Sequence, residues 1–111
     1  MTDTYVTVEE IEEDGVLQCA IKISLPLFEI NVAIPRADIE QLRLVPTVNW
    51  TTGALRLGTS AGASVFWCAG EGGVISVMVG HDDQTWDISL TLPGEVIQMI
   101  CNDLPSSSGK A

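Results

Sequence analysis

The residues with the most chemistry to offer lie close together late in the chain: His81, Asp82, Asp83 and Asp87. An imidazole among carboxylates could hold a metal ion or move a proton, and the acids would raise its pKa if they lay against it. The spacing argues against both. Asp87 follows Trp86 on an alternating strand and points away from it, so only some of these acids could meet. His81 to Thr85 reads better as a polar hairpin tip. His81 is also the single histidine. Ser–His–Asp or Cys–His catalysis would have to use it, yet there is no Gly-x-Ser-x-Gly elbow and nothing sets a nucleophile beside it. Gly58-Thr59-Ser60-Ala61-Gly62 superficially matches a phosphate loop. It lacks the closing Lys-Ser/Thr and the strand-to-helix setting.

Cys19, Cys68 and Cys101 are odd in number and widely spaced, with no C-x-x-C pair. Neither a zinc site nor a disulfide framework is expected, and buried free thiols are the simpler reading. Glu9-Glu10-Ile11-Glu12-Glu13-Asp14 is dense in acid but lacks the alternating ligands and distant bidentate Glu of a calcium loop. It reads as a solvated hairpin tip. Together these observations predict a chain that is not an enzyme and uses no metal or cofactor.

Residues suited to binding are easier to find. Trp50 sits in a loop beside Asn49, Thr51 and Thr52, where no alternation buries it, and an exposed loop Trp is a typical interface anchor. Fifteen acids against five bases give a net charge of −10. That field repels nucleic acid and speeds encounter with a basic protein. Trp67 and Trp86 fall at inward strand positions. With Met99 they would line any cavity between a sheet and its helices.

The elements that must position these groups follow from hydrophobic periodicity. One domain fits 111 residues, of which 46% are apolar. No apolar run spans a bilayer, and Met1-Thr2-Asp3-Thr4 lacks the features of a signal peptide, so a cytoplasmic location is expected. Alternation predicts strands over Tyr5–Ile11, Val16–Ser24, Leu27–Ile34, Ala54–Gly58, Ala63–Ala69, Val74–Gly80 and Trp86–Leu92. Asp14-Gly15 is a hairpin turn signal, and Thr59 to Gly62 a small-residue turn. Val65 and Trp67 alternate with Phe66 and Cys68, which predicts a strand covered on both faces. Pro35 and Pro93 each open a helix, the first ending by Val45 ahead of Pro46 and the second near Leu104.

A 58-residue offset relates two parts of the chain. Phe28-Glu29-Ile30-Asn31-Val32-Ala33-Ile34-Pro35 falls on Trp86-Asp87-Ile88-Ser89-Leu90-Thr91-Leu92-Pro93. Upstream, Val16, Leu17, Cys19 and Ile21 fall on Val74, Ile75, Val77 and Val79. The expected architecture is α+β: an antiparallel sheet with two helices packed on one face, internally duplicated as βββα then ββββα. The domain is expected to span residues 1–105, with half-repeats near 5–46 and 54–105, and a disordered tail is expected over 106–111.

In size, acidity and lack of a catalytic set, the chain resembles immunity proteins and other small bacterial accessory proteins. The resemblance rests on composition and carries over no functional residue. The expected function is a non-enzymatic, acidic protein-interaction module of inhibitor or immunity type. Its surface would combine Trp50, the tip residues Glu12, Glu13 and Asp14, and the turn residues His81, Asp82 and Asp83. The alternative is a small-ligand binding domain using the cavity of Trp67, Trp86 and Met99. A homodimer through open strand edges fits either reading.

Overall fold

The computed structural model describes residues 4–49, 51, 53–82 and 85–104. Alternating apolar and polar residues build seven strands: β1 (Tyr5–Glu13), β2 (Val16–Ser24), β3 (Glu29–Pro35), β4 (Leu55–Ser60), β5 (Ala63–Ala69), β6 (Val74–Asp82) and β7 (Thr85–Pro93). They form one antiparallel sheet in sequence order. A 3-10 segment covers Arg36–Thr47 between β3 and β4, and α1 (Glu95–Asn102) follows β7. The architecture is α+β. Among the described residues no helix is long and apolar enough to cross a membrane.

Short connections carry the turn chemistry that the sequence announces. Asp14 and Gly15 take φ 53° and 79° between β1 and β2, and Ala61 and Gly62 take φ 51° and 84° between β4 and β5. Two successive positive φ values mark the turn whose twist matches a hairpin. The β2–β3 connection is longer. Leu25 donates its N–H to the Phe28 carbonyl at 2.8 Å, so the third strand begins at Glu29 and not at Leu27.

The segment after Pro35 departs from the expected α-helix. Its buried residues are Ile39, Leu42 and Val45, spaced by three. A spacing of three stays on one side of a 3-10 helix, at three residues per turn, but drifts around an α-helix. The segment also runs past Val45 and through Pro46 to Thr47.

One core lies against one face of the sheet. Cys19, Ile21 and Ile23 from β2, Val32 and Ile34 from β3, Val65 and Trp67 from β5, and Val77 from β6 share a cluster with Ile39, Leu42 and Val45. Val96, Ile97 and Ile100 of α1 belong to the same cluster. Trp67 is fully buried, and its indole N–H donates to the Leu57 carbonyl at 3.0 Å. A smaller cluster of Phe66, Cys68 and Met78 lies on the opposite face, with Val48, Ala54 and Trp86 against it. β5 is therefore covered on both faces, as its bulk predicts.

The sheet is strongly coiled. Seven strands spaced about 4.8 Å apart would separate the edges of a flat sheet by about 29 Å. α1 leaves the end of β7 and is only eight residues, about 12 Å, long. Yet just beyond its C-terminus Asp103 accepts a hydrogen bond from the backbone N–H of Val8 on β1, at 2.9 Å. The two edges must approach each other for that bond to form.

Ala61 is the one described position where a residue other than Gly, Asn or Asp holds a positive φ. Such backbone costs an alanine roughly 1–2 kcal/mol. Ala61→Gly is expected to raise stability by about 0.5–1 kcal/mol once glycine's own entropy is counted. Gly58 is the opposite case. It has φ +80°, and a Cβ there would lie 2.5 Å from the Ala33 carbonyl oxygen. Gly58→Ala is expected to cost about 2 kcal/mol or more. Urea midpoints at constant slope check both.

Candidate functional site

Consecutive antiparallel strands alternate in direction, which decides which loops share an end. The 3-10 segment, the β1–β2 and β5–β6 turns and the start of α1 lie at one end of the sheet. The β2–β3, β4–β5 and β6–β7 connections lie at the other. Both helical segments begin at the first end. The second has no helix among the described residues and opens onto the core.

The open end carries a cleft of about 400 Å³, whose apolar lining is Phe28, Ile30, Val79, Ile88 and Leu90. Glu29, Asn31, Ser60 and Ala61 complete its walls. Leu27, in the adjoining β2–β3 turn, is 93% exposed, and Ile88 is 49% exposed at a core-facing strand position. The rim is polar and partly pre-ordered. Glu29 accepts hydrogen bonds from the Ser24 hydroxyl at 3.2 Å and the Asn31 amide at 3.4 Å.

A second concavity crosses the outer face of β1 to β4. Its two lobes, of about 350 and 340 Å³, share Ala33 and Thr59. The facing pair Ala20–Ala33 forms its floor, and Thr7, Glu9, Lys22 and Asn31 stand beside it. Water already satisfies such polar walls, so exchanging it for a ligand gains little net free energy. Burying one leucine-sized side chain gains about 1.5–3 kcal/mol. The apolar mouth is the stronger candidate.

The residues singled out from the sequence are dispersed. Glu12, Glu13 and Asp14 sit exposed on the β1–β2 hairpin, at the helical end. His81 and Asp82 sit exposed at the far end of β6, beside the mouth. A nine-residue strand is about 30 Å long, so these groups cannot form one patch. Asp82 acts locally. It accepts hydrogen bonds from the Thr85 backbone N–H at 2.8 Å and the Thr85 hydroxyl at 2.9 Å, closing the turn. Trp50 and Asp83 lie outside the described residues. Among the described residues no group of three or more His, Cys, Asp or Glu is placed to hold a metal ion.

The expected cavity of Trp67, Trp86 and Met99 does not form. Trp67 is inside the core, while Trp86 packs on the opposite face against Phe66, Cys68 and Met78. The cause is a bulge. Val79 pairs with Ile88 but Gly80 pairs with Trp86, leaving Asp87 as an extra residue. One extra residue reverses the facing of what precedes it. Gly80 permits the close approach, because a Cβ there would collide with the Trp86 Cα. Met99 is half-buried and joins neither cluster.

Alternation places Ile88 and Leu90 in the core and gives Leu27 no role at the surface. A signal for Leu27 was present: Leu25-Pro26-Leu27-Phe28 is a turn with three large apolar residues.

The cysteines are free thiols, two buried and Cys101 half-buried. Burial pushes all three thiols up, opposed at Cys19 by Arg36 and at Cys101 by Arg43.

No family model matches the chain, and no curated protein and no solved structure matches it.

The raised thiols have a testable consequence. Above the ordinary thiol pKa of about 8.5 the unfolded chain loses protons that the folded chain keeps, so stability falls as pH rises. Urea midpoints from pH 7 to 10 are expected to decline, and the decline to lessen in a Cys19→Ala, Cys68→Ala, Cys101→Ala variant. An equal decline in both would mean that the thiols do not contribute.

Proposed function

We propose that the protein is a non-enzymatic, acidic interaction module that takes an apolar side chain of a basic partner into the mouth at the open end of its sheet. The observation carrying this reading is that Phe28, Ile88 and Leu90 line one cleft, with Ile88 half-exposed and the exposed Leu27 next to Phe28 in the adjoining turn. Large apolar side chains left in water beside a preformed concavity, and rimmed by polar groups, mark an interaction surface. The charge of −10 suits a partner of opposite sign, and Glu29, Asp82 and Asp87 lie at the same end as the mouth. The mechanism is occlusion. The partner's apolar residue fills the cleft, and its basic residues meet the acidic rim.

A second reading is a small apolar ligand in the same mouth, since about 400 Å³ falls within the size range of small-molecule sites. The two separate on charge: a neutral ligand binds independently of salt, whereas a basic protein binds more weakly as salt rises.

The fold reading extends in the same way. We infer two helical segments on one face of the sheet and a duplication at its origin. β2 and β6 are offset by 58 residues at both bounds, and β3 and β7 both end at proline, Pro35 and Pro93. β1 and β5 keep a different phase. The core-side residues are Val6 and Val8 in one and Val65 and Trp67 in the other, an offset of 59. On this reading one repeat slipped by a residue, and β4 was added between the halves. Residues 5–46 and 54–105 prepared as separate chains are expected to be unfolded alone and to fold on mixing, followed by circular dichroism. A half that folds alone would count against two halves completing one core.

Binding is tested by capture from the source lysate at low and high salt, using wild type, Ile88→Asp and the pair Glu12→Gln, Glu13→Gln. A basic protein is expected to be retained by wild type at low salt, lost with Ile88→Asp and kept by the hairpin-tip variant. Ile88 is half-exposed, so its substitution should shift the melting temperature by only a few degrees. Retention that ignores Ile88 would move the site away from the mouth.

A further inference from the structure

The two edges of the sheet are treated differently. β1 carries Glu9, Glu10, Glu12 and Glu13, Asp103 occupies the Val8 N–H, and Glu10 pairs with Arg36 at 3.3 Å. Charges and a blocked N–H stop another strand from adding there. β7 pairs with β6 alone among the described residues. α1 lies against β1 and the 3-10 segment instead of along β7. Beyond the bulged Asp87, the stretch Ile88-Ser89-Leu90-Thr91-Leu92 contains no charge, glycine or proline, and it pairs regularly with β6. In a chain of net charge −10, an uncharged edge strand that is paired on one side only among the described residues is the place for a strand to add.

We propose that the occupant is a second copy of this chain, pairing β7 to β7 antiparallel about a two-fold axis at Leu90. The stretch is self-complementary about that residue. Leu90 meets its own copy, Ile88 meets Leu92, and Ser89 meets Thr91. Each pair keeps its face, because residues two apart share a side of the sheet. Leu90, core-facing yet half-open at the mouth, gains its own copy as an apolar neighbour across the axis, while Leu92 stays inside its own core. Asp87 lies beyond the paired stretch on both strands, so no two like charges are set opposite each other. A second copy fits better than a basic segment at this edge, because the paired stretch offers no acid for such a segment to meet. The β1 edge is blocked, so pairing closes at a dimer and does not propagate into a filament. A five-residue ladder is small beside the roughly 800 Å² that each partner of a stable complex commonly buries. The dimer is therefore weak and concentration-dependent. Two chains of like net charge repel, so it strengthens with salt, opposite to capture of a basic partner.

The test is sedimentation equilibrium of the full chain, without any partner, up to millimolar concentration at low and high salt. Wild type is expected to show a monomer–dimer equilibrium that moves toward dimer with salt. Ser89→Lys/Thr91→Lys places lysine opposite lysine at both flanking pairs, and Ser89→Glu/Thr91→Glu does the same with glutamate. Ser89 and Thr91 are exposed, so both variants should fold, as circular dichroism would verify. Each is expected to be monomeric alone, and an equimolar mixture to recover the dimer by opposite-charge pairing. A wild type that stays monomeric to millimolar, or a lysine variant that dimerises like wild type, overturns the proposal. So does a mixture that fails to recover the dimer. No partner protein is present, so the outcome is independent of whether the mouth binds one.

Discussion

The burial of one face of the sheet inside its own coil is the constraint on which the rest depends. A single apolar face of this width cannot be left in water, and buried residues of the 3-10 segment and of α1 share its core cluster. Each of Val96, Ile97 and Ile100, buried on α1, contributes on the order of 1.5–3 kcal/mol relative to exposure. That contribution requires α1 to turn inward from β7 and reach toward β1, and the Asp103–Val8 hydrogen bond fixes where it stops. The same arrangement occupies a backbone N–H on one sheet edge and leaves the other edge without a paired strand among the described residues. The mouth follows as well. Both helical segments emerge at one end, and among the described residues no helix lies at the opposite end.

Small irregularities determine which side chains reach which surface. The bulge at Asp87 places Trp86 on the outer face, where it covers Phe66, Cys68 and Met78, and restores the alternation from Ile88 onward. Without it Trp86 would point to the core side at the open end, where the cleft now lies. The bulge also interrupts the β7 edge. It limits any strand that adds there to the five residues beyond it.

Period-two alternation announced seven strands, and Asp14-Gly15 announced the first turn, because both are local consequences of backbone stereochemistry. The double coverage of β5 was legible for the same reason, since Val65, Phe66, Trp67 and Cys68 are bulky on both sides. The 3-10 segment was also written in the chain, as Ile39, Leu42 and Val45 repeat every three residues, although the flanking prolines suggested an ordinary helix. The site was much less legible. Its apolar residues look like core residues, and only the position of a strand in the sheet shows which of them remain open to water.

The sequence by itself determined an α+β chain, the facing of most strand residues, free thiols in apolar surroundings and an excess of acidic residues. These depend on residue type and on spacing within one element. Tertiary structure alone decided that the acidic hairpin tip and the His81 turn lie at opposite ends, because that depends on how many strands separate them. It also decided that Trp67 and Trp86 occupy opposite faces, that Asp103 takes the Val8 N–H on β1 while β7 pairs with β6 alone among the described residues, and that Phe28, Ile88 and Leu90 line one cleft. Each of these relations joins residues distant in the chain, and the coiling of the sheet and one extra residue in β7 set them.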